Sequence, residues 1–295
     1  MLDSLAPRRS WRDRAPLLIL LAPPLMLLII FLILPMLGLV RSSFSEGTGP
    51  SSFGWTLGQY SKFLTDTYYL AVLAETIGFG LIVAVACLLI GFPVGYSLAR
   101  LPPHKRRWRL IAVILPLTLS LVVVVFGWLV VLGRTGLLNS ILIGLGVVDT
   151  PQRLLFNRTA VLVVLAQQFL PFMILSVMSV VSQVDPVLEQ AASNLRADRF
   201  TTFRRVILPL SMPGILSGMT LVFILTVSAF ITPRLIGGAR IQMVGSLIFE
   251  QVLTVLNWPF AAAMSFILLT ITLLVTGLAN TALAVKMTSG GRHAN

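Results

Sequence analysis

Gln190-Ala-Ala-Ser-Asn-Leu-Arg-Ala-Asp-Arg-Phe-Thr-Thr-Phe-Arg-Arg-Val-Ile-Leu-Pro209 is the stretch on which the reading of this chain turns. It lies in a polar segment, residues 182–210, between two long apolar blocks. Just ahead of it, Asp185-Pro186 has the form of a helix N-cap followed by proline at the first helical position. Leu188, Ala191, Ala192 and Leu195 then recur at i, i+3, i+4 and i+7. That spacing puts them on one face of a short helix. Phe200, Phe203 and Ile207 continue a second apolar stripe, with Arg199, Arg204 and Arg205 off it. Pro209 and Pro213 bracket the start of the next apolar block. A helix-turn-helix with an apolar stripe and a basic flank needs a surface to pack on. Physics alone divides that surface evenly between a groove on a partner protein and the lipid headgroups.

The rest of the chain places this segment at a membrane. Of 295 residues, 57% are hydrophobic and 11% are charged, against about 25% charged in soluble domains. The length would suit roughly two soluble domains. The apolar residues, however, come in long blocks, and a span takes about 20 of them. Six blocks qualify: Ala15–Val40, Leu70–Leu98, Leu110–Gly133, Thr159–Val181, Met212–Ile231 and Phe260–Val285. The fold class is therefore an all-α membrane protein with six transmembrane helices. The first block is longer than the apolar core of a signal peptide and lacks a small-residue cleavage site, so it is read as retained. Pro23, Pro24 and Pro35 kink it or mark its ends. Residues 41–69 are rich in Gly, Ser and Thr, with Tyr60, Tyr68 and Tyr69 as interfacial anchors. Leu137–Leu145 and a stretch within 240–258 are short apolar helices that cannot span.

The formal net charge of +12 sits at the ends of the apolar blocks. That distribution orients a protein in a membrane and does not form a nucleic-acid face. Fifteen of the 22 lysines and arginines fall on the side that holds the Arg100–Arg109 loop and the 182–210 segment. This side is the cytoplasm, and both termini lie there. The chain divides into a cytoplasmic basic segment 1–14, a transmembrane domain 15–286 containing the 182–210 loop, and a cytoplasmic tail 287–295. Cys87 stands alone inside an apolar block, and His104 and His293 lie in basic stretches, so no metal cluster is expected. Lys62, Lys105 and Lys286 are the only lysines and none follows glycine, so there is no phosphate-binding loop. No paired carboxylates or Ser/His/Asp set suggests an enzyme.

The quoted stretch resembles the coupling loop of permeases from binding-protein-dependent ABC importers. That pattern runs Glu-Ala-Ala, glycine four residues on, and Leu-Pro thirteen residues after the glycine. Ala191, Ala192, Leu195, Ala197 and the Leu208-Pro209 end match. Two positions depart: Gln190 replaces the glutamate, with Glu189 beside it, and Arg196 replaces the glycine. The chain is most similar to permeases of the spermidine/putrescine type. Supporting stretches are Gly91-Phe-Pro-Val-Gly-Tyr96, Leu138-Asn139, Val148-Asp-Thr-Pro151, Leu170-Pro-Phe172, Pro213-Gly-Ile215, Gly237-Gly238 and Asn257-Trp-Pro-Phe-Ala-Ala262.

The resemblance implies a type I ABC importer permease fold in the bacterial inner membrane. It implies a second permease, most often a different chain, two copies of an ATPase subunit and an external substrate-binding protein. ATP and Mg would be bound by the ATPase, and this chain would hold no cofactor. Glu189, Gln190, Ala191, Ala192, Leu195, Arg196, Ala197, Phe200, Phe203 and Pro209 would couple it to the ATPase. The solute would be a polyamine or a similar small polar molecule. Ferric iron, sulfate, thiamine, phosphonate, opine or amino-acid-like solutes are the alternatives, and a stand-alone secondary transporter is a further one.

Polar residues inside spans are costly and tend to face a pathway or another helix. Glu75 is the only acidic residue within an expected span, Gln167 and Gln168 lie in the outer half of the fourth, and Ser228 and Thr232 lie near the outer end of the fifth. These five are the pathway candidates. Gly214 and Gly218 form Gly-x-x-x-Gly, read as packing between the two permeases.

Overall fold

The computed structural model describes residues 21–47 and 54–290. The basic segment 1–14, the start of the first apolar block and the last residues of the tail lie outside the described residues. Among those described, every regular element is a helix. In chain order they are α1 (Leu21–Ser43), α2 (Gly58–Thr65), α3 (Thr67–Arg100), α4 (Pro103–Thr118), α5 (Leu121–Val131) and α6 (Leu137–Gly144). There follow α7 (Arg158–Val181), α8 (Val187–Asn194), α9 (Arg199–Val227), α10 (Val244–Leu253) and α11 (Trp258–Gly290). Five helices are long and apolar enough to cross a membrane, and the α4–α5 pair makes a sixth span.

The centre of the fold is the triple packing of α3, α7 and α9. Helices in lipid gain little from burying apolar surface against one another, so close backbone approach carries the association. Small residues sit where these axes meet. A Cβ on Gly95 would stand 2.8 Å from the Ile174 carbonyl oxygen, and one on Gly214 would stand 2.9 Å from that of Ser176. Gly214 and Gly218 therefore pack on α7 of their own chain, not across a permease pair as their spacing suggested. Polar caps start two of the three helices. Asp66 Oδ1 accepts the Tyr68 N–H at 2.8 Å ahead of α3, and Asn157 Oδ1 accepts the Ala160 N–H at 2.8 Å ahead of α7. Cys87 is buried in this core with its thiol 3.3 Å from the Ala166 carbonyl. Helix α1 packs along α11 and leaves its apolar side chains exposed.

Two expected spans differ from their sequence reading. The third is not continuous: α4 and α5 meet at 93° across Leu119 and Ser120, both in extended conformation. Pro116, inside the last turn of α4, removes an N–H and crowds the preceding turn, which weakens the helix at that point. The fifth span begins earlier and ends earlier than Met212–Ile231. It runs from Arg199 without interruption to Val227, with Ser228 as its C-terminal cap.

Continuity at the start of α9 depends on a π-helical turn at Phe203–Ile207, immediately before Leu208-Pro209. The wider turn makes room for a proline that cannot donate to the helix ladder. The same arrangement recurs in α1, where a π turn at Ile29–Ile33 precedes Leu34-Pro35. Pro209 and Pro213 thus lie within one helix and do not separate a surface helix from a span.

At the end of the bundle away from the 182–210 loop, buried Asn139 holds the 133–152 loop together. Its Nδ2 donates to the Gly133 and Gln152 carbonyls at 2.9 and 3.0 Å, and its Oδ1 accepts the Gln152 N–H at 2.8 Å. Gly238 has φ +62° and lies against the Phe156 ring, where a Cβ would stand 2.8 Å away.

Gly95→Val should force α3 from α7, because the nearest obstacle is backbone. Overpacking of this kind costs about 1–3 kcal/mol. Thermal unfolding in detergent should show a lower Tm, and an unchanged Tm would count against this crossing.

Candidate functional site

The expected coupling loop folds as a short helix, a left-handed turn and the start of α9. Asp185 Oδ1 accepts the Val187 N–H at 2.9 Å, and α8 begins there. At the other end Arg196 has φ +58°. Its N–H donates to the Ser193 carbonyl at 3.0 Å, and the Ala197 N–H donates to the Ala192 carbonyl at 3.1 Å. These two bonds are the pair that closes a Schellman motif, with Arg196 in the position usually held by glycine. The turn is therefore kept despite the substitution, at a backbone cost of about 1–2 kcal/mol for an L-residue. Asp198 follows, and the Thr201 hydroxyl beside it holds its carboxyl below the usual carboxylate range.

The apolar residues of the loop divide by face. Leu195 is 84% exposed and Phe200 66%, with Val187, Leu188 and Ala191 also exposed. Ala192 and Ala197 are half-buried at the turn. Phe203 faces inward, edge-on to Phe92 of α3 with ring centroids 5.4 Å apart. Gln190 is exposed, whereas the Glu189 carboxylate is directed at α3. Pro209 lies on the α9 surface just after the π turn. The outcome is a protruding apolar face on a polar, basic segment, the kind of patch that marks a protein or membrane contact.

The second arrangement is in the membrane. Gln167 and Gln168 are adjacent on α7 and point about 100° apart. Each reaches one interrupted segment. Trp128 Nε1–H, on α5, donates to Gln167 Oε1 at 3.1 Å. The Thr232 hydroxyl, beyond the break that follows α9, lies 3.0 Å from Gln168 Oε1. An indole N–H is only a donor, so the Gln167 amide oxygen must face it. A cavity of about 210 Å³ opens at the α4–α5 elbow, lined by Pro116, Leu119, Gln167, Gln168, Phe169 and Phe172 among others. Non-helical backbone at membrane depth occurs where it is enclosed by protein or lines a cavity.

Residues 91–283 match the family model for the binding-protein-dependent transport system inner membrane component. The chain belongs to this family. The spermidine/putrescine transport system permease protein PotB of Escherichia coli (strain K12) is 36% identical over 243 residues, 82% of this chain and 88% of that protein. The inner membrane ABC transporter permease protein YdcU of the same organism is 30% identical over 208 residues, covering 66% of each chain. Among solved structures, the fold resembles a chain of a bacterial alginate ABC transporter in complex with an alginate pentasaccharide-bound periplasmic protein. The TM-score is 0.71 at 18% identity, covering 92% of this chain and 96% of that one.

The protein is accordingly a multi-pass inner-membrane permease, a non-catalytic subunit. In this permease the five pathway candidates do not form one cluster. Gln167, Gln168 and Thr232 belong together at the elbow and the α9 break. Ser228 lines a separate cavity of about 520 Å³ between α9, α10 and α11. Glu75 lies near the N-terminal end of α3, 2.8 Å from Arg158 Nε of α7. Its charge is balanced within the chain, which makes it a tie between two core helices.

Sequence reading missed Trp128, which offered no pattern beyond an aromatic in an apolar block. It also used Arg100 only as an orienting charge and Tyr96 only as part of a motif, although the two share a helix face at i and i+4.

Arg196→Gly should relieve the left-handed turn, raise the Tm of the purified permease and preserve transport. Arg196→Val should lower the Tm, since a β-branched residue is poorly accommodated at positive φ. Equal Tm values for all three proteins would argue against a left-handed residue here.

Proposed function

We propose that this permease forms one half of the translocation pathway of an ATP-driven importer for polyamines. The observation that carries the coupling part is the exposed apolar face of α8 and the following turn, joined through the π turn to α9. Val187, Leu188, Ala191, Leu195 and Phe200 suit a groove on an ATPase subunit better than lipid headgroups. A headgroup-bound helix would lie flat with its basic flank to the phosphates, whereas here the apolar face protrudes from the bundle. In this reading two ATPase copies bind ATP and Mg, a second permease completes the pathway, and an external binding protein delivers the solute. Both termini are cytoplasmic, on the side of the coupling loop.

The elbow cavity supports a small solute. At about 210 Å³ it falls below the usual 300–1,000 Å³ of ligand pockets, which fits a site completed by the second permease. The last turn of α4 carries carbonyls without helical partners, and a helix C-terminus favours cations. Phe169 and Phe172 add ring faces that attract ammonium groups and apolar surface for methylenes. Similarity to PotB supports the polyamine assignment in particular.

The first turn of α5 faces the same cavity with free N–H groups, which is the feature an anionic solute such as sulfate or a phosphonate would use. Interrupted spans also occur in secondary transporters. A transporter working alone has no use for an exposed coupling face.

The test is ATPase activity of the complex reconstituted in lipid with its binding protein, across candidate solutes. Stimulation by spermidine or putrescine is expected. Stimulation by an anion or iron alone would remove the polyamine assignment. Replacing Ala191 and Ala192 with glutamate should abolish ATPase co-purification and leave membrane insertion intact, and normal co-purification would remove the docking assignment.

A further inference from the structure

The C-terminal end of α3 carries a stripe that receives the coupling loop. Phe92, Tyr96 and Arg100 recur at i, i+4 and i+8 and so share one helix face. Phe92 meets Phe203. The Tyr96 hydroxyl donates to Glu189 Oε2 at 2.7 Å. Arg100 Nη2 pairs with Glu189 Oε1, and its Nη1 donates to the Val184 carbonyl at 2.8 Å. The Arg100 and Glu189 side chains are only 20% and 22% exposed. Arg100 Nε is buried without a partner. One carboxylate in the first turn of α8 is thus held by two residues of α3, and the guanidinium also grips the chain just before α8.

We propose that Glu189 is a positioning residue that transmits motion of α8 to α3, and not a contact to the ATPase. This rests on the coupling reading given above. Helix α8 has three links to the spans. Two are covalent, through residues 182–186 from α7 and through the left-handed turn into α9. The third is the Glu189–Arg100–Tyr96 cluster, which ties it to the C-terminal end of α3. Displacement of the exposed face of α8 therefore moves α3 and α9 together. Without the cluster, α8 would be tied only to α7 and α9 and α3 would be left behind. Gln190, about 100° round the helix, is exposed and remains available to a partner. The spare N–H of Arg100 gives the cluster a donor with which to regroup as α8 moves.

The experiment is a double-mutant cycle on the reconstituted complex with its binding protein and spermidine. Solute transported per ATP hydrolysed is measured, together with co-purified ATPase. Glu189→Gln, which keeps shape and removes charge, should lower transport per ATP about tenfold, the scale of one charge-assisted hydrogen bond. Arg100→Gln should do the same, and the double variant should fall no further than either single. Tyr96→Phe, which removes only a hydroxyl, should give a smaller loss in the same direction. ATPase co-purification should be unchanged throughout. A drop in co-purification caused by Glu189→Gln alone would overturn the proposal in favour of direct docking. Unchanged transport per ATP, or losses that multiply in the double variant, would also overturn it. The Ala191 and Ala192 glutamate variant, scored separately by co-purification, reports on the docking reading itself.

Discussion

Inside a bilayer no water is at hand to satisfy a broken helix, so each interruption must be answered by protein or enclosed around a cavity. This permease interrupts two spans, at Leu119-Ser120 and after Val227. Adjacent residues of α7 reach the segments that follow both breaks. Gln167 accepts from Trp128 towards the far end of α5, and Gln168 accepts from Thr232, beyond the end of α9. The adjacent glutamines on the best-buried helix act as a fork with one prong to each break. Both glutamines also line the elbow cavity.

Prolines mark three of the helix irregularities in this chain, and they do so in two ways. At Leu34-Pro35 and Leu208-Pro209 a π turn precedes the pair and the helix continues, whereas Leu170-Pro171 is carried inside α7 without one. Where Pro116 precedes two extended residues, the helix stops and turns. The first outcome matters for coupling. It makes the segment from Arg199 to Val227 one rod, so the loop's second apolar stripe is the beginning of a span. The loop joins the membrane domain along a helix axis with no flexible linker in between.

The two ion pairs found among the described residues both involve α3. Glu75 meets Arg158 near its N-terminal end, and Arg100 meets Glu189 at its C-terminal end. Arg158 is 70% exposed, and a pair of that kind contributes little to stability, whereas Arg100 and Glu189 are largely buried. The placement of the two pairs is more telling than their energy, since they fix both ends of one core helix to its neighbours.

Much of the fold was legible in the sequence because lipid imposes a simple rule: a span shows as a long run of apolar residues, whatever it packs against. Five spans, the basic loops, the coupling helix over Leu188–Leu195 and the short outer helices followed from that rule and from helical periodicity. Arg196 was visible as a departure from the coupling pattern, but only the backbone showed that it takes the glycine's left-handed turn. The bend between α4 and α5, the extension of the fifth span back to Arg199 and the packing of Gly214 on α7 could not be read in advance. Each depends on which surface a helix meets, and hydropathy is blind to that. The same holds for the candidate site. The sequence by itself determined which residues are polar within the membrane and which stretch forms an amphipathic, basic connection between spans. Tertiary structure alone decided that Glu75 is neutralised by Arg158, that Gln167 and Gln168 reach different breaks, and that Glu189 faces inward. Hydrogen bonds between residues 39 to 93 positions apart leave no local pattern in a chain.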